Sequence, residues 1–229
     1  MKVFKLTDQN NQTKNNTTWG PGVSHTSTGT SKELCSHGWI HFYTNPLIAV
    51  LMNPTHAGFK DPKLWEAEAS GEMLHEPLKS GCKTLKTIKE IPLPEISSIQ
   101  RIAFGILCAK EVYKDKKWNV WADKWLSGED RTTDDAAADD AADDDDADYS
   151  AAAYSAAARA AHADASSAAY AAAHAAAYDA HAAHAASAAY AAVMAASAAH
   201  AAAHAAAHAA NNNPGIDFIK IAEKTMTYK

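Results

Sequence analysis

The sequence predicts an α+β domain followed by a long alanine-rich α-helical segment, arranged as a helical hairpin or a rod. Three observations carry the prediction. Short runs of aromatic and β-branched residues fill the first 95 positions and helical-period runs follow them, which segregates strands from helices. Alanine saturates residues 134 to 210, where there is no Gly and no Pro, and helix is the only regular structure such a composition favours. All six Trp and all three Cys fall within residues 1 to 130, so that half holds the large apolar groups a core needs. The expected layout is a globular domain over 1–130, an acidic linker or helix start over 131–148, the alanine-rich segment over 149–210, and a turn with a short amphipathic helix over 211–229.

Lys2 to Leu6 alternates as a strand does, and the polar run Asp8 to Thr18 reads as a turn or loop. Gly20-Pro21-Gly22 punctuates the chain before Val23 to Thr30, an edge strand or loop. Gly38 to Thr44, rich in aromatic and β-branched residues, is the clearest strand. It runs into a short helix that Thr44 or Asn45 caps, that Pro46 opens and that Pro54 ends. Further strands are expected at Leu64 to Ala69 and Thr84 to Ile91, with Gly71 and Gly81 near the turns. Ser97 or Ser98 caps a helix to about Tyr113, with Ile99, Ile102, Ala103, Ile106 and Leu107 on one face. A shorter helix, Lys117 to Leu126, sets Trp118, Trp121 and Trp125 on one side as a lid over the core, and Ser127-Gly128 ends it.

In the alanine-rich segment the larger groups are Tyr170, His174, Tyr178, His181, His184, Tyr190, Met194, His200, His204 and His208. With Ser187 and Ser197 between them, every step is three or four residues, which keeps them on one stripe of a helix and makes them the expected interaction surface. Alanine faces bury little area but let helix axes approach closely, so the segment is expected to pack on itself or on another copy of the chain, giving a homo-oligomer. A continuous helix from Asp148 to Ala210 would be about 90 Å long. Asn211-Asn212-Asn213-Pro214-Gly215 stops it, before an amphipathic helix from Ile216 to about Met226.

Charge is as uneven as alanine content. Residues 134 to 210 hold eleven Asp against the single Arg159, a net −10, whereas the whole chain is −6, so the rest carries about +4. Acidic groups at a helix start favour the macrodipole and solubilise an alanine rod. The sharper reading of Asp134 to Asp148 is a mimic of nucleic-acid phosphates that occupies a basic groove on a host protein; nucleic acid itself would be repelled. Cys35, Cys82 and Cys108 are odd in number and widely spaced, which argues against a disulfide framework or thiolate zinc site and for a reducing cytoplasm. No signal peptide and no convincing membrane span is expected.

Chemistry-bearing motifs are sparse. There is no nucleophile elbow, phosphate loop, paired-carboxylate motif or HExxH helix, and no cofactor is expected. His25, His41, Tyr43, Glu66, Glu68 and His75 can do acid/base work, but nothing in their spacing sets a geometry. His200, His204 and His208 share a helix face at i, i+4 and i+8 and form a weak alternative metal site, with further ligands needed from elsewhere. Protonation of the His stripe would make self-association weaken between pH 7 and 5.

Two resemblances extend this reading. Gly38 to Ala49 looks like the strand-to-helix segment of the ADP-ribosyltransferase fold, which would imply NAD chemistry carried by Tyr43, by His25 on the first strand and by Glu66 or Glu68. Glu33-Leu34-Cys35, Gly38-Trp39-Ile40-His41, Asn45 to Ala57, Cys108 to Tyr113 and Trp125 to Gly128 resemble a family of small tailed-bacteriophage and prophage proteins of unknown function, often with alanine-rich tails. That likeness implies a cytoplasmic protein acting in the infected bacterium. The expectation is a non-enzymatic phage-encoded binding or assembly protein, of a kind that would suit counter-defence. The alternatives are an ADP-ribosyltransferase-like enzyme acting on a host target and a structural filament or scaffold subunit.

Overall fold

In the computed structural model the described residues are 1–131, 157, 180–213 and 215–229, as backbone alone over 180–194 and at 212. They fall into two units, a sheet unit of Met1–Glu95 with Asp217–Ala222 and a helical unit of Ile96–Ile216 with Glu223–Lys229.

The sheet unit is antiparallel throughout. Its strands are β1 (Lys2–Thr7), β4 (Ser24–Thr26), β5 (Ile40–Phe42), β6 (Lys63–His75) and β7 (Ser80–Ile91), in the order β1-β6-β7-β4, with β5 also paired to β7. A small hairpin of β2 (Gln12–Thr13) and β3 (Thr17–Thr18) encloses a 3-10 turn whose Asn15 and Asn16 take positive φ, a conformation Asn tolerates. The period-two alternation of β6 buries Ala67 and Ala69, which join Val3, Trp19, Phe42, Cys82 and Leu85 in one core cluster. Full burial of a side chain such as Phe42 or Leu85 stabilises by about 1.5–3 kcal/mol.

Strands β6 and β7 run longer than the composition suggests. Gly71 and Gly81 lie inside them, and the turn between them is at Glu76 to Lys79, where the Glu76 amide donates to the Lys79 carbonyl at 3.0 Å. Gly71, at φ 78°, sits in the register shift between Ser70 and Met73, so a residue that reads as a turn former instead makes a bulge. Helix α1 (Pro46–His56) starts where expected: the Asn45 side chain accepts from the amides of Leu47 at 2.8 Å and Ile48 at 3.4 Å. It continues past Pro54 and buries Ile48, Ala49, Val50, Leu51 and Met52.

The helical unit contains α2 (Ser98–Val112), α3 (Lys116–Ser127) and α4 (Ala180–Asn212). Ser97 and Gln100 form a reciprocal capping box on α2, Asp115 caps α3, and Gly128 closes α3 in the left-handed conformation at φ 79°. Ile102 to Ala109 of α2 are all buried, and α4 packs along that helix with Ala198, Ala202, Ala205 and Ala209 buried at helical spacing. Trp118 and Trp125 are core residues of this unit, with Trp121 ring to ring against Trp118 at 6.0 Å. A last helix, α5 (Phe218–Thr225), buries Phe218, Ala222 and Thr225, and the boundary between the units runs through it.

This corrects the expected fold class. The described residues form a mixed α/β arrangement, in which α1 interrupts the strand series, and no long alanine-rich hairpin or rod spanning 149–210 is shown. The helix that Asn45 caps and Pro46 opens, itself expected from the sequence, stands between β5 and β6, so strands and helices are interleaved rather than segregated. The alanine face of α4 was expected to seek its own tract or a second chain. Among the described residues it lies along α2, where Gly105 offers a surface smaller still.

Candidate functional site

Titratable groups perturbed by burial gather around β5 in the sheet unit: β1 supplies Lys5 on one face, and β5, the residue after it, α1 and the β6–β7 turn supply His41, Tyr43, His56 and Lys79. Lys5 follows Val3 and precedes Thr7 on the buried face of β1. Its ammonium donates to the His41 carbonyl at 2.7 Å and lies 5.1 Å from the centre of the Trp19 ring. Burial draws its pKa down from 10.5 to about 8, partly opposed by the nearby Cys82 thiol. About a tenth of it is therefore neutral at pH 7, where an exposed lysine is fully charged.

His41 projects from β5 with Nε2 against the Leu34 carbonyl. Burial lowers its pKa; the contact with Leu34 opposes that, and Lys5 and Lys79 reinforce it. His56, in the last turn of α1, is pushed down to about 4, first by burial and then by Lys79 and His41. Its ring stacks on Tyr43 with centroids 6.0 Å apart, and Tyr43 Oη lies 3.4 Å from its Nδ1. Burial raises the Tyr43 pKa, so the phenol keeps its proton, and its hydroxyl and the neutral His56 Nδ1 share a hydrogen bond whose direction the imidazole tautomer sets. The two imidazoles and the phenol are thus held neutral, while Lys5, whose neighbour Phe4 pairs with Tyr43, stands on the opposite face of β1 with Trp19 and reaches this region only through the His41 carbonyl.

The other sequence candidates are placed elsewhere. His25 on β4 meets the Thr18 carbonyl through Nε2 at 2.8 Å and stands edge-on to Trp19 at 4.7 Å, on the face that carries Ala67 and Ala69. Strand alternation turns Glu66 and Glu68 to the opposite face, so His25 and these carboxylates do not meet. Glu66 pairs with Lys2 at 3.0 Å and Lys89 at 3.9 Å, while Glu68 lies opposite Lys2 and Lys86 in the register. Tyr43 and Glu66 flank Phe4 on either side. His75 Nδ1 is 2.9 Å from Ser80 Oγ, and its ring meets the edge of Phe42.

In the helical unit, His200 and His204 have ring centroids 4.6 Å apart and His204 and His208 6.0 Å, with His200 exposed. Among the described residues no group of three or more His, Cys, Asp or Glu is placed to hold a metal ion. His181, His184, Tyr190 and Met194 lie along the α4 backbone, and Tyr170, His174, Tyr178 and the acidic run Asp134 to Asp148 are outside the described residues. Among the described residues no helix is long and apolar enough to cross a membrane.

Comparison with known protein families, curated proteins and solved structures finds no match.

The sequence reading named His41 and Tyr43 singly; Lys5, His56 and Lys79 were missed. The available signal was Lys5 in step with Val3 and Thr7, but Lys2, Phe4 and Leu6 alternate equally well, so the buried face was ambiguous. Lys5→Met is expected to stabilise the protein by about 1–2 kcal/mol at pH 7, the roughly 3 kcal/mol relieved by removing a buried ammonium exceeding the bond lost to the His41 carbonyl. The folded pKa lies below the unfolded one, so wild-type stability rises from pH 8 to 10.5 and the advantage of Met fades over that window. Urea midpoints at pH 7 and 10.5 test this; equal gains at both would refute the buried-charge account.

Proposed function

We propose that this is a phage-encoded binding and assembly protein, acting inside the infected host, that joins further copies of itself through the His200 end of the imidazole row on α4. The supporting observation is how α4 uses its two kinds of surface. Its small-residue stripe, Ala198, Ala202, Ala205 and Ala209, is buried with α2 alongside, whereas the imidazoles stand in a row with His200 exposed. Alanine that already has an intramolecular partner cannot serve a second chain, which leaves the exposed His200 end of the row as the surface that meets one. Imidazole rings stack on one another and on aromatic groups, as these three do along the helix, and an exposed one offers the same stacking face to a copy of itself.

Sedimentation velocity of the full chain over a concentration series at pH 7.5 tests the reading. The expected result is a mass above the monomer that rises with concentration. A variant carrying His200→Ala, His204→Ala and His208→Ala should lose the assembly. A concentration-independent monomer at pH 7.5, or assembly unaffected by the triple substitution, would remove the proposal.

A further inference from the structure

Where Lys79 of the β6–β7 turn meets the loop before β5, one pair of reactive side chains is closer than any ordinary contact permits. Lys79 Nζ lies 2.6 Å from Cys35 Sγ, between residues 44 apart in sequence. An N–H···O hydrogen bond is about 2.9–3.0 Å, and the larger sulfur atom makes N–H···S longer still. Two atoms joined through a single bridging atom, as the backbone N and C are through Cα, sit about 2.5 Å apart, and a sulfur end lengthens that slightly. The observed separation therefore matches one atom between nitrogen and sulfur.

Neighbours on both sides hold the pair in register. Leu34, beside Cys35, is buried to 1 % exposure, and its carbonyl meets His41 Nε2. Leu78 and Ser80, on either side of Lys79, are buried at 5 % and 3 %. Lys83 reaches across to the loop, donating to the carbonyls of Gly29 at 3.0 Å and Gly38 at 2.8 Å. Cys35 itself is exposed, unlike Cys82 and Cys108, so small oxidants reach it.

We propose that Cys35 and Lys79 form an oxidation-dependent nitrogen–oxygen–sulfur cross-link that ties the loop before β5 to the β6–β7 turn. Lys79 first loses its ammonium proton to solvent. Dissolved dioxygen is the oxidant, and it takes four electrons, two from the thiol sulfur and two from the amine nitrogen. One oxygen atom forms bonds to nitrogen and to sulfur, and the other leaves as water. Of the three hydrogens on the amine and thiol, one stays on nitrogen and two depart in that water. A thiol reductant reverses the link in two two-electron steps, the first cleaving the O–S bond to free the Cys35 thiol and leave a hydroxylamine on Lys79, the second cleaving its N–O bond to return the amine and release water.

Intact-mass measurement and peptide mapping of the full chain, air-equilibrated or kept anaerobic with reductant, test the proposal. The air-equilibrated protein is expected to gain about 14 Da, one oxygen in and two hydrogens out, and to yield a peptide joining Cys35 to Lys79. Reductant should abolish both and lower Tm by at least about 5 °C, because the link closes a long loop. Cys35→Ser and Lys79→Arg should each prevent the gain. An unmodified thiol after air exposure, a gain of about 16 Da that persists in Lys79→Arg, or a disulfide-linked dimer through Cys35 would each overturn it.

Discussion

Gly105→Leu is expected to remove about 3 kcal/mol or more from the stability of the helical unit, the largest loss we expect from a single substitution. A Cβ built on Gly105 would stand 2.9 Å from Ala202 Cα, 3.1 Å from its Cβ and 3.2 Å from its carbonyl oxygen. Two of these atoms are main chain, so no side-chain rotation relieves the clash and α4 must move away from α2. Moving it uncovers Ile102 to Ala109, now buried without a break, and the alanines of α4 that lie along them. Gly105→Ala decides the sign. In a free helix, Ala in place of Gly gains about 1 kcal/mol, whereas overpacking a tight contact costs about 1–3 kcal/mol. We expect a net loss of roughly 1 kcal/mol for Ala and a graded further loss through Val to Leu, read as urea midpoints by circular dichroism. A Gly105→Ala protein more stable than wild type would show that the two helices are not in contact at this point.

The second large effect is in acid. His56 has a folded pKa of about 4 against an ordinary 6.5, so the unfolded chain takes up a proton over a range where the folded protein refuses it. Its contribution is complete above pH 6.5, declines as pH falls and is exhausted near pH 4, a loss of about 3 kcal/mol. His41, also lowered by burial, acts in the same direction. Lys5 does not take part, because its window lies above pH 8. His56→Gln keeps an acceptor for the Tyr43 hydroxyl without the titration. Urea unfolding at pH 7 and pH 4.5 should show wild type losing about 2–3 kcal/mol more than the variant between the two. Parallel losses in the two proteins would mean that His56 is not held neutral by its surroundings.

These two sites show which parts of the molecule can be read along the chain. Asn45, Ser97 and Gly128 mark helix ends through bonds that reach no more than four residues, so they were legible before any fold was known, although the Asp115 cap and the Gln100 half of the capping box were not read. Period-two and period-3.6 patterns likewise foretold β1, α2 and α3. Gly71 misled because bulge and turn both require a positive φ, and only the partner strand distinguishes them. The fold class misled for a similar reason, since the tendency of alanine to form helix says nothing of what the helix will lie against.

Helix starts, the buried stripe of α2 and the smallness of the alanine face followed from the order of residues alone, because propensity, capping and periodicity are settled within a turn or two of chain. That α4 meets α2 at Gly105, that Lys5 lies beneath His41, and that Cys35 touches Lys79 came only with folding. Desolvation and steric contact depend on atoms brought in from distant positions, and no local pattern records which atoms those will be.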